Sequence, residues 1–368
     1  MLYMPIIFLF YKENNLEVTE LFGLHAIYSA IIAFFEVPSG YIADVWGRKP
    51  AMVIGTLFGT FGFYTYSISG NITGFLIAEV FLGIGHSLIS GADSALLYDT
   101  LLEKGNNKLY VKLEGRITAT GNIAEALAGI FVSVVAFSLY RYYYYCQTVF
   151  AFLAFVAALM LHEPNFRKRN ESGFKDILRI VNTTLRKNRK LRNIILFSSL
   201  IGFASLTMAW FAQPIFDFVN IKGSNFGYAW VLLNFLVASG SIMANRISKI
   251  LNFKFVLTYI IIFLCGGYII VAYQSTAMVL ITLSVFYFVR GTAHPVLKDC
   301  INRLTTSDKR ATVLSVRSLV IRILYFSLGP VAGYLTDNVS LRFALILCGI
   351  SVLLPLIVLF ILIVINKH

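Results

Sequence analysis

Charged residues are scarce in this chain, and their scarcity argues against an ordinary soluble protein. Asp, Glu, Lys and Arg together make up 13% of the 368 residues, whereas a typical soluble domain carries about 25%. Hydrophobic residues make up 58% and come in long runs, of which residues 255–273 contain no charge. A helix that crosses a bilayer needs about 20 mostly apolar residues, so these runs predict a membrane protein.

Short alternating strands are also lacking, and this absence argues against a membrane β-barrel. Barrel strands read as alternating segments of roughly 10 residues, whereas these runs are longer and do not alternate. Backbone polar groups inside lipid must be satisfied within the protein, so the runs predict helices. The predicted fold class is an all-α polytopic membrane protein.

Cysteine patterns and catalytic motifs are missing as well. The four cysteines are far apart, with no zinc or redox spacing; they are Cys146, Cys265, Cys300 and Cys348. The sequence contains no P-loop, no His-Glu-x-x-His and no Gly-x-Ser-x-Gly motif. We therefore expect no enzymatic activity, no metal and no cofactor.

The apolar runs predict twelve membrane spans, and the first of them is short. The predicted spans are residues 2–11, 19–43, 50–69, 72–98, 114–137, 143–161, 193–215, 224–247, 254–273, 277–299, 312–335 and 342–365. The first covers only about half a membrane at about 1.5 Å per residue. We infer that the given chain starts inside a truncated first helix, through an upstream start or a shortened form.

Lysine and arginine are concentrated on one predicted side of the membrane. Most of the 31 basic residues fall on the loops that follow the even-numbered spans, whereas the opposite loops hold only Lys12, Arg141, Lys222 and Arg342. The positive-inside rule places the basic loops and the C-terminus in the cytoplasm, in a cytoplasmic (inner) membrane. The net charge of +13 then indicates contact with anionic lipid, not nucleic acid. The tyrosines at 142–145 are predicted to form an interfacial aromatic belt.

One long basic loop, residues 162–192, divides the chain into two six-helix halves, 1–161 and 193–368. Within it, apolar residues recur at helical spacing over 174–181, which predicts a short helix lying in the cytoplasmic interface. Two pseudo-symmetric halves joined by one cytoplasmic linker are typical of one large class of transporters, which bind substrate near the midplane.

The segment that follows span 2 carries the most specific motif. Residues 40–49 read Gly-Tyr-Ile-Ala-Asp-Val-Trp-Gly-Arg-Lys and resemble the loop signature of the major facilitator superfamily, Gly-x-Leu-Ala-Asp-Arg-x-Gly-Arg-Lys. The resemblance implies a six-plus-six helical fold over the whole chain, and a latch in this loop that holds one alternating-access state. The gating residues are then Gly40, Asp44, Gly47, Arg48 and Lys49. Asp44 is expected to pair with Arg48 or to face a helix N-terminus.

One further segment and two departures from the family pattern bear on the subfamily. Residues 90–99, Ser-Gly-Ala-Asp-Ser-Ala-Leu-Leu-Tyr-Asp, resemble the end of span 4 in bacterial drug-efflux-like members, which are proton antiporters. Two departures leave the direction of transport open. Glu79 stands where the family has an arginine in span 4, and Glu125 replaces the central glycine of the antiporter motif in span 5.

Ionisable residues inside spans cost about 2.5 kcal/mol or more on insertion scales and usually face the bundle interior or a cavity. In span 4 the spacing of Glu79, Gly83, His86, Ser90 and Asp93 predicts one polar helical face. The proton-coupling candidates are Glu125, Asp93, Glu79 and His86. The substrate-cavity candidates are Asn122, Trp210, Gln213, Tyr287, Arg290, His294, Arg322 and Tyr325.

Two interpretations of these charges compete. In one, Glu125 carries the coupled proton and the arginines bind substrate. In the other, Glu125, Asp93, Arg290 and Arg322 form fixed ion pairs.

The leading hypothesis is a monomeric secondary transporter that exports a small molecule and uses the proton gradient as its energy source. The alternatives are a proton-coupled importer of a metabolite or organic anion, favoured by Arg290 and Arg322, and a receptor or enzyme built on the same scaffold.

Overall fold

The chain is helical throughout the part that the structure describes. This structure is a computed structural model, and it describes residues 1–90, 92–106, 109–135, 139–163, 188–274, 276–305 and 310–365. The helices are α1 Ile7–Glu13, α2 Val18–Val45, α3 Arg48–Ile68, α4 Ile72–Ile89, α5 Ala92–Glu103, α6 Tyr110–Val134, α7 Arg141–Leu159, α8 Arg189–Phe218, α9 Phe226–Ile250, α10 Phe253–Val271, α11 Thr276–Arg303, α12 Arg310–Asn338 and α13 Leu341–Ile365. No strand occurs in these residues, so the all-α fold class is confirmed.

Ten helical segments in the described residues are long and apolar enough to cross a membrane. The two predicted spans that do not reach this standard are the first and the fifth. The first is represented by α1, which has 7 residues. The fifth corresponds to α6, whose apolar part is only Ile123–Val134. The charged residues Lys112, Glu114 and Arg116 occupy the first turns of this helix.

The predicted fourth span, residues 72–98, falls within one apolar segment long enough to cross a membrane, Ile72–Glu103, but its helix is interrupted after Ile89. Helix α4 ends at Ile89, and its C-cap Ser90 has the non-helical angles φ −59° and ψ 120°. A separate helix, α5, follows from Ala92. The predicted polar face of a single helix, which included both Glu79 and Asp93, is therefore interrupted before Asp93.

One compact unit consists of Met1–Leu16 and Leu24–Ser172; we call it the first unit. In it α3 packs against α4, α5 and α7. Glycines allow the closest approach, because a Cβ on Gly85 would lie 2.6 Å from the carbonyl oxygen of Gly55. Small residues at such positions are the usual means by which membrane helices pack.

The other compact unit, which we call the second unit, consists of Glu17–Gly23 and Gly173–His368. Helix α8 lies near its centre and contacts α11, α12 and α13, while α9 packs along α11. A Cβ on Gly240 would collide with the carbonyl oxygen of Phe288, and one on Gly291 with that of Val237. The backbones of α9 and α11 are therefore in direct contact.

The domain boundaries predicted from the sequence, 1–161, 162–192 and 193–368, remain a prediction. The interfacial helix predicted at 174–181 lies outside the described residues.

Candidate functional site

Glu79 is a carboxyl group buried inside the first unit, with 3% of its surface exposed. Its Oε1 accepts a 2.6 Å hydrogen bond from the hydroxyl of Tyr66. The Nδ1 of His25 lies 3.4 Å from the same oxygen. An ionisable group at such a position in a membrane span is expensive to bury, and it is a functional candidate for that reason.

A second tyrosine extends this arrangement. The hydroxyls of Tyr11 and Tyr66 are 2.6 Å apart, and either can be the donor. Tyr11, His25 and Tyr66 are each at most 5% exposed. We call Tyr11, His25, Tyr66 and Glu79 the Glu79 cluster. Its members come from α1, α2, α3 and α4, so four successive helices must fold together to form it.

Aromatic rings surround the cluster. The ring of Tyr66 stacks on Phe75, with centroids 5.3 Å apart, and on Tyr144, with centroids 5.1 Å apart. Phe10 lies 4.2 Å from the ring of Tyr144. These rings keep the carboxyl in a medium of low polarity, in which its hydrogen bonds are electrostatically stronger than in water.

The packing of Tyr144 corrects one expectation. The aromatic belt predicted for residues 142–145 is wrong for two of its members, because Tyr143 is 2% exposed and Tyr144 is fully buried. Tyr142 and Tyr145 are exposed. Successive residues of a helix point about 100° apart, so four tyrosines in a row necessarily face both the interior and the surroundings.

The cluster has a chemistry that depends on proton occupancy. As a carboxylate, Glu79 accepts the hydrogen bond from Tyr66. Once protonated, the carboxyl carries an O–H donor. The hydroxyl of Tyr66 can then rotate so that its oxygen accepts this hydrogen bond and its own proton is donated to the hydroxyl of Tyr11. His25 offers a base beside the same oxygen. Binding of one proton would therefore reverse the direction of hydrogen bonding across α1, α3 and α4.

The other candidates in the first half do not join this cluster. His86 is exposed, and its ring lies 6.0 Å from that of Tyr28. Asp93 is exposed on α5 and accepts a hydrogen bond from the backbone of Ser94. Glu125 is half-buried on α6. The side chain of Asn122 lies outside the described residues.

The candidates in the second half occupy several helices of the second unit. Gln213 is 4% exposed, Tyr287 is 1% exposed and Tyr325 is fully buried, whereas Trp210 and Arg322 are half-buried and His294 is exposed. Arg290 is half-buried, and its guanidinium lies 5.3 Å from the centre of the Tyr287 ring, within the range of a cation–π contact.

One buried cation of the second unit was missed by sequence analysis. Arg317 lies near the start of the predicted span 312–335, but it was not named there as a candidate. In the structure it lies on α12, inside the candidate span Val313–Asn338, and is 8% exposed. Its Nε donates a 2.5 Å hydrogen bond to Oγ of Ser198. Sequence periodicity could not reveal this partner, because Ser198 is 119 residues away in the chain.

The predicted gating loop is held by two acids that the sequence did not single out. Gly47 has φ +117°, a conformation that favours glycine. Immediately after it, the backbone N–H groups of Arg48 and Lys49 donate to the carboxylate of Glu163, at 2.8 and 2.5 Å. The Nε of Arg48 lies 3.5 Å from Oδ2 of Asp99.

Glu163 therefore occupies the helix N-terminus that was considered for Asp44, where a negative charge is favoured by the helix dipole. The side chain of Asp44, like the surroundings of Gly40, is outside what the structure describes. The position of Gly47 also limits substitution, since an added Cβ would lie 2.8 Å from Oε1 of Glu163.

The ten apolar helical segments of the described residues are those of a multi-pass integral membrane protein. Comparison with known proteins then gives the family. The family model described as Major Facilitator Superfamily matches residues 1–326. The chain belongs to the major facilitator superfamily, so this part of the sequence analysis is confirmed.

A curated relative is the uncharacterized MFS-type transporter MJ1560 of Methanocaldococcus jannaschii, which is 24% identical over 228 residues. The match covers 61% of this chain and 57% of the relative, so less than two thirds of that protein is spanned.

Solved transporters share the fold. The nucleoside transporter NupG has a TM-score of 0.80 at 15% identity, over 99% of this chain and 93% of its own. A D-xylose-proton symporter has a TM-score of 0.74 at 13% identity, over 96% of this chain and 91% of its own. At these identities the likeness concerns the fold alone.

Proposed function

We propose that the chain is a secondary active transporter that moves a small molecule by alternating access and couples this movement to protons. The observation that carries the coupling is the buried carboxyl of Glu79, joined to Tyr66 at 2.6 Å and flanked by His25 at 3.4 Å. Family membership supports the transport itself, and with it the expectation of no enzymatic activity.

Glu79 is a better proton carrier than Glu125 on the present geometry. A coupling residue must be shielded from bulk water and must change its contacts when its proton leaves. Glu79 meets both conditions, because its carboxyl is 3% exposed and its bound hydroxyl belongs to another helix. Glu125, Asp93 and His86 are more open to the surroundings, and they remain secondary candidates.

We propose export as the direction of transport. The support is the likeness of residues 90–99 to drug-efflux-like members of the family. The second candidate is proton-coupled uptake, which is favoured by the names of two fold neighbours, a nucleoside transporter and a D-xylose-proton symporter. Either direction uses the same proton site.

We further propose a monomer in a cytoplasmic membrane, surrounded by lipid and with its C-terminus in the cytoplasm. The loop at residues 40–49 acts as a latch, which Glu163 and Asp99 stabilise in the present state. Trp210, Gln213, Tyr287, Tyr325 and their basic neighbours in the second unit contribute to the substrate cavity.

The test uses everted membrane vesicles that are acidified inside, with the pH gradient followed by fluorescence. A panel of cationic, neutral and anionic compounds is added, and a compound that dissipates the gradient and accumulates inside is a substrate for export. Uphill uptake into right-side-out vesicles instead would identify an importer.

Three variants then locate the proton site: Glu79→Gln, Tyr66→Phe and Glu125→Gln. We expect Glu79→Gln to abolish proton-driven transport while substrate exchange without a gradient continues, which separates coupling from folding. Proton-driven transport that survives in Glu79→Gln and is lost in Glu125→Gln would overturn the assignment. The absence of proton movement with every transported compound would overturn the coupling itself.

A further inference from the structure

Three basic side chains lie along one side of α11 in the second unit. Arg290, His294 and Lys298 are separated by four residues each, and residues at this spacing lie on one side of a helix. Arg290 is half-buried, while His294 and Lys298 present accessible surface.

A fourth basic side chain comes from the neighbouring helix. Helix α12 contacts α11, and Arg317 on α12 is 8% exposed and close enough to His294 to interact with it electrostatically, as Lys298 and Arg290 do. Its Nε donates to Ser198, and Oγ of Ser199 donates to the backbone carbonyl of Arg317 at 3.3 Å. Helix α8 thus fixes the position of the guanidinium. We call Arg290, His294, Lys298 and Arg317 the cation cluster.

No carboxylate of the described residues forms an ion pair with Arg317, Arg290 or Lys298. The acids that the structure describes on α8, α11 and α12 have other partners or positions. Asp299 pairs with Arg303 at 2.8 Å, Asp337 binds the backbone of Val18 and Thr19, and Asp217 lies at the C-terminal end of α8. Cations inside a span are costly and are normally compensated, and the described residues supply no such compensating carboxylate to the cluster.

The free donors of Arg317 indicate what this counter-charge is. A guanidinium has five N–H donors in a planar fork, of which Ser198 uses the one on Nε. The four donors on the two terminal nitrogens make no hydrogen bond to a described residue. Such a fork matches the two oxygens of a carboxylate or phosphate.

The geometry points to an anion-binding site in the second unit, formed by the cation cluster, that holds a carboxylate or phosphate group of the transported molecule. This assignment rests on the proposed transport function and adds the charge class of its substrate. A free organic anion fits better than a lipid headgroup, because Arg317 is buried on the inner side of α12 against α8 and not at the lipid surface.

A cationic substrate would need an accessible interior carboxylate, and the candidate acids Glu79 and Asp93 of the first half do not provide one. Glu79 is enclosed by Tyr66 and His25, and Asp93 is exposed on α5 beside its own backbone. Neither carboxyl is both buried and left with free hydrogen-bonding capacity, as the guanidinium of Arg317 is among the described residues.

Binding to the purified full-length protein in nanodiscs of phosphatidylcholine tests this inference without any proton gradient. The probes are 1-naphthoate, 1-naphthamide and 1-naphthylmethylamine, which differ mainly in charge, and phenyl phosphate as a second anion. Affinity is measured by equilibrium dialysis. We expect the two anions to bind roughly tenfold or more tightly than the amide, as a charge-assisted bidentate contact implies.

Variants then assign the binding to the cluster. Lys298→Gln changes an exposed residue and is expected to fold normally, Arg317→Lys keeps the charge but loses the fork, and Lys249→Gln is a control at an exposed lysine of α9. We expect the first two to bring the affinity for 1-naphthoate close to that for the amide, and the control to leave it unchanged. Equal affinities for anion and amide, or tighter binding of the amine, would overturn the inference while proton-driven transport could still be present.

A second set of nanodiscs, containing phosphatidylglycerol, separates the two sources of an anionic group. If phosphatidylglycerol abolishes binding of 1-naphthoate to the wild type, the cluster is a lipid-headgroup site and the substrate assignment fails. Binding that persists in both lipid compositions supports a substrate site.

Discussion

The hydroxyl of Tyr66 donates a 2.6 Å hydrogen bond to Oε1 of Glu79, although the two residues lie on different helices. The close packing of α3 on α4 makes this contact, and it places a proton-accepting group where water is excluded. The resemblance places an arginine at this position, and an arginine would stay charged, whereas the carboxyl of Glu79 can gain and lose a proton.

Replacing Tyr66 by phenylalanine should leave Glu79 without its hydroxyl donor. We expect the free energy of unfolding to fall by about 1–3 kcal/mol, the range for leaving a buried polar group without its hydrogen bond, and proton-driven transport to slow. Melting temperature in detergent and gradient-driven flux measure the two effects. Tyr64→Phe is the matched control, because Tyr64 is on the same helix but 52% exposed. Similar losses in both variants would contradict a specific role for Tyr66.

Replacing Gly291 by alanine should destabilise the second unit. The added Cβ meets the backbone carbonyl of Val237 on α9, which has little freedom to move away. Overpacking of this kind costs about 1–3 kcal/mol, and it should appear as a lower melting temperature. Gly266→Ala on α10 is the control, since nothing lies within 4 Å of the added atom. Equal melting temperatures of the two variants would show that α9 and α11 are less closely packed than described.

Removing the carboxylate of Glu163 should weaken the start of α3. Glu163→Ala deprives Arg48 and Lys49 of the acceptor for their backbone N–H groups, a loss comparable to that of an N-cap, about 0.5–2 kcal/mol. Faster hydrogen exchange at the first turn of α3 is the direct measurement. Asp299→Ala serves as the comparison, because its pair with Arg303 is exposed and such pairs contribute about 0–1 kcal/mol. Unchanged exchange in the Glu163 variant would argue against the cap.

Removing the carboxylate of Asp337 should release the first turn of α2. Asp337 accepts hydrogen bonds from the backbone N–H groups of Val18 and Thr19, at 3.3 and 2.6 Å, and from the Thr19 hydroxyl at 2.6 Å. In Asp337→Ala we expect faster hydrogen exchange across Glu17–Gly23, measured by mass spectrometry. Asn338→Ala, at the exposed residue that follows Asp337, is the control, and it should leave hydrogen exchange across Glu17–Gly23 unchanged.

The membrane class, the family and most helix positions could be predicted from the sequence. The charge-free run at 255–273 falls on the apolar α10, and the motif at 40–49 belongs to the family that the comparison confirms. These features depend on residues close together in the chain. Periodicity misled where a helix ended early, as at Ser90, since one non-helical residue changes the direction of every side chain that follows.

The candidate site was predicted only in part. Sequence analysis named Glu79 because it is an acid within a span, but it favoured Glu125, which the structure leaves half-buried. It did not name His25, Tyr66 or Arg317. A tyrosine or histidine in an apolar helix has many ordinary positions, and only the packing of other helices makes one of them the partner of a buried carboxyl.

The sequence by itself determined that this chain lies in a membrane, is helical and belongs to a transporter superfamily, because hydrophobicity and a contiguous motif are local properties of the chain. Tertiary structure alone decided which polar groups are enclosed and which are open. Glu79 and Asp93 look equivalent as acids in one apolar run, yet α3 covers the first and a helix break exposes the second. Burial and hydrogen bonding are properties of contacts between helices, and those contacts determine which charge can serve a function.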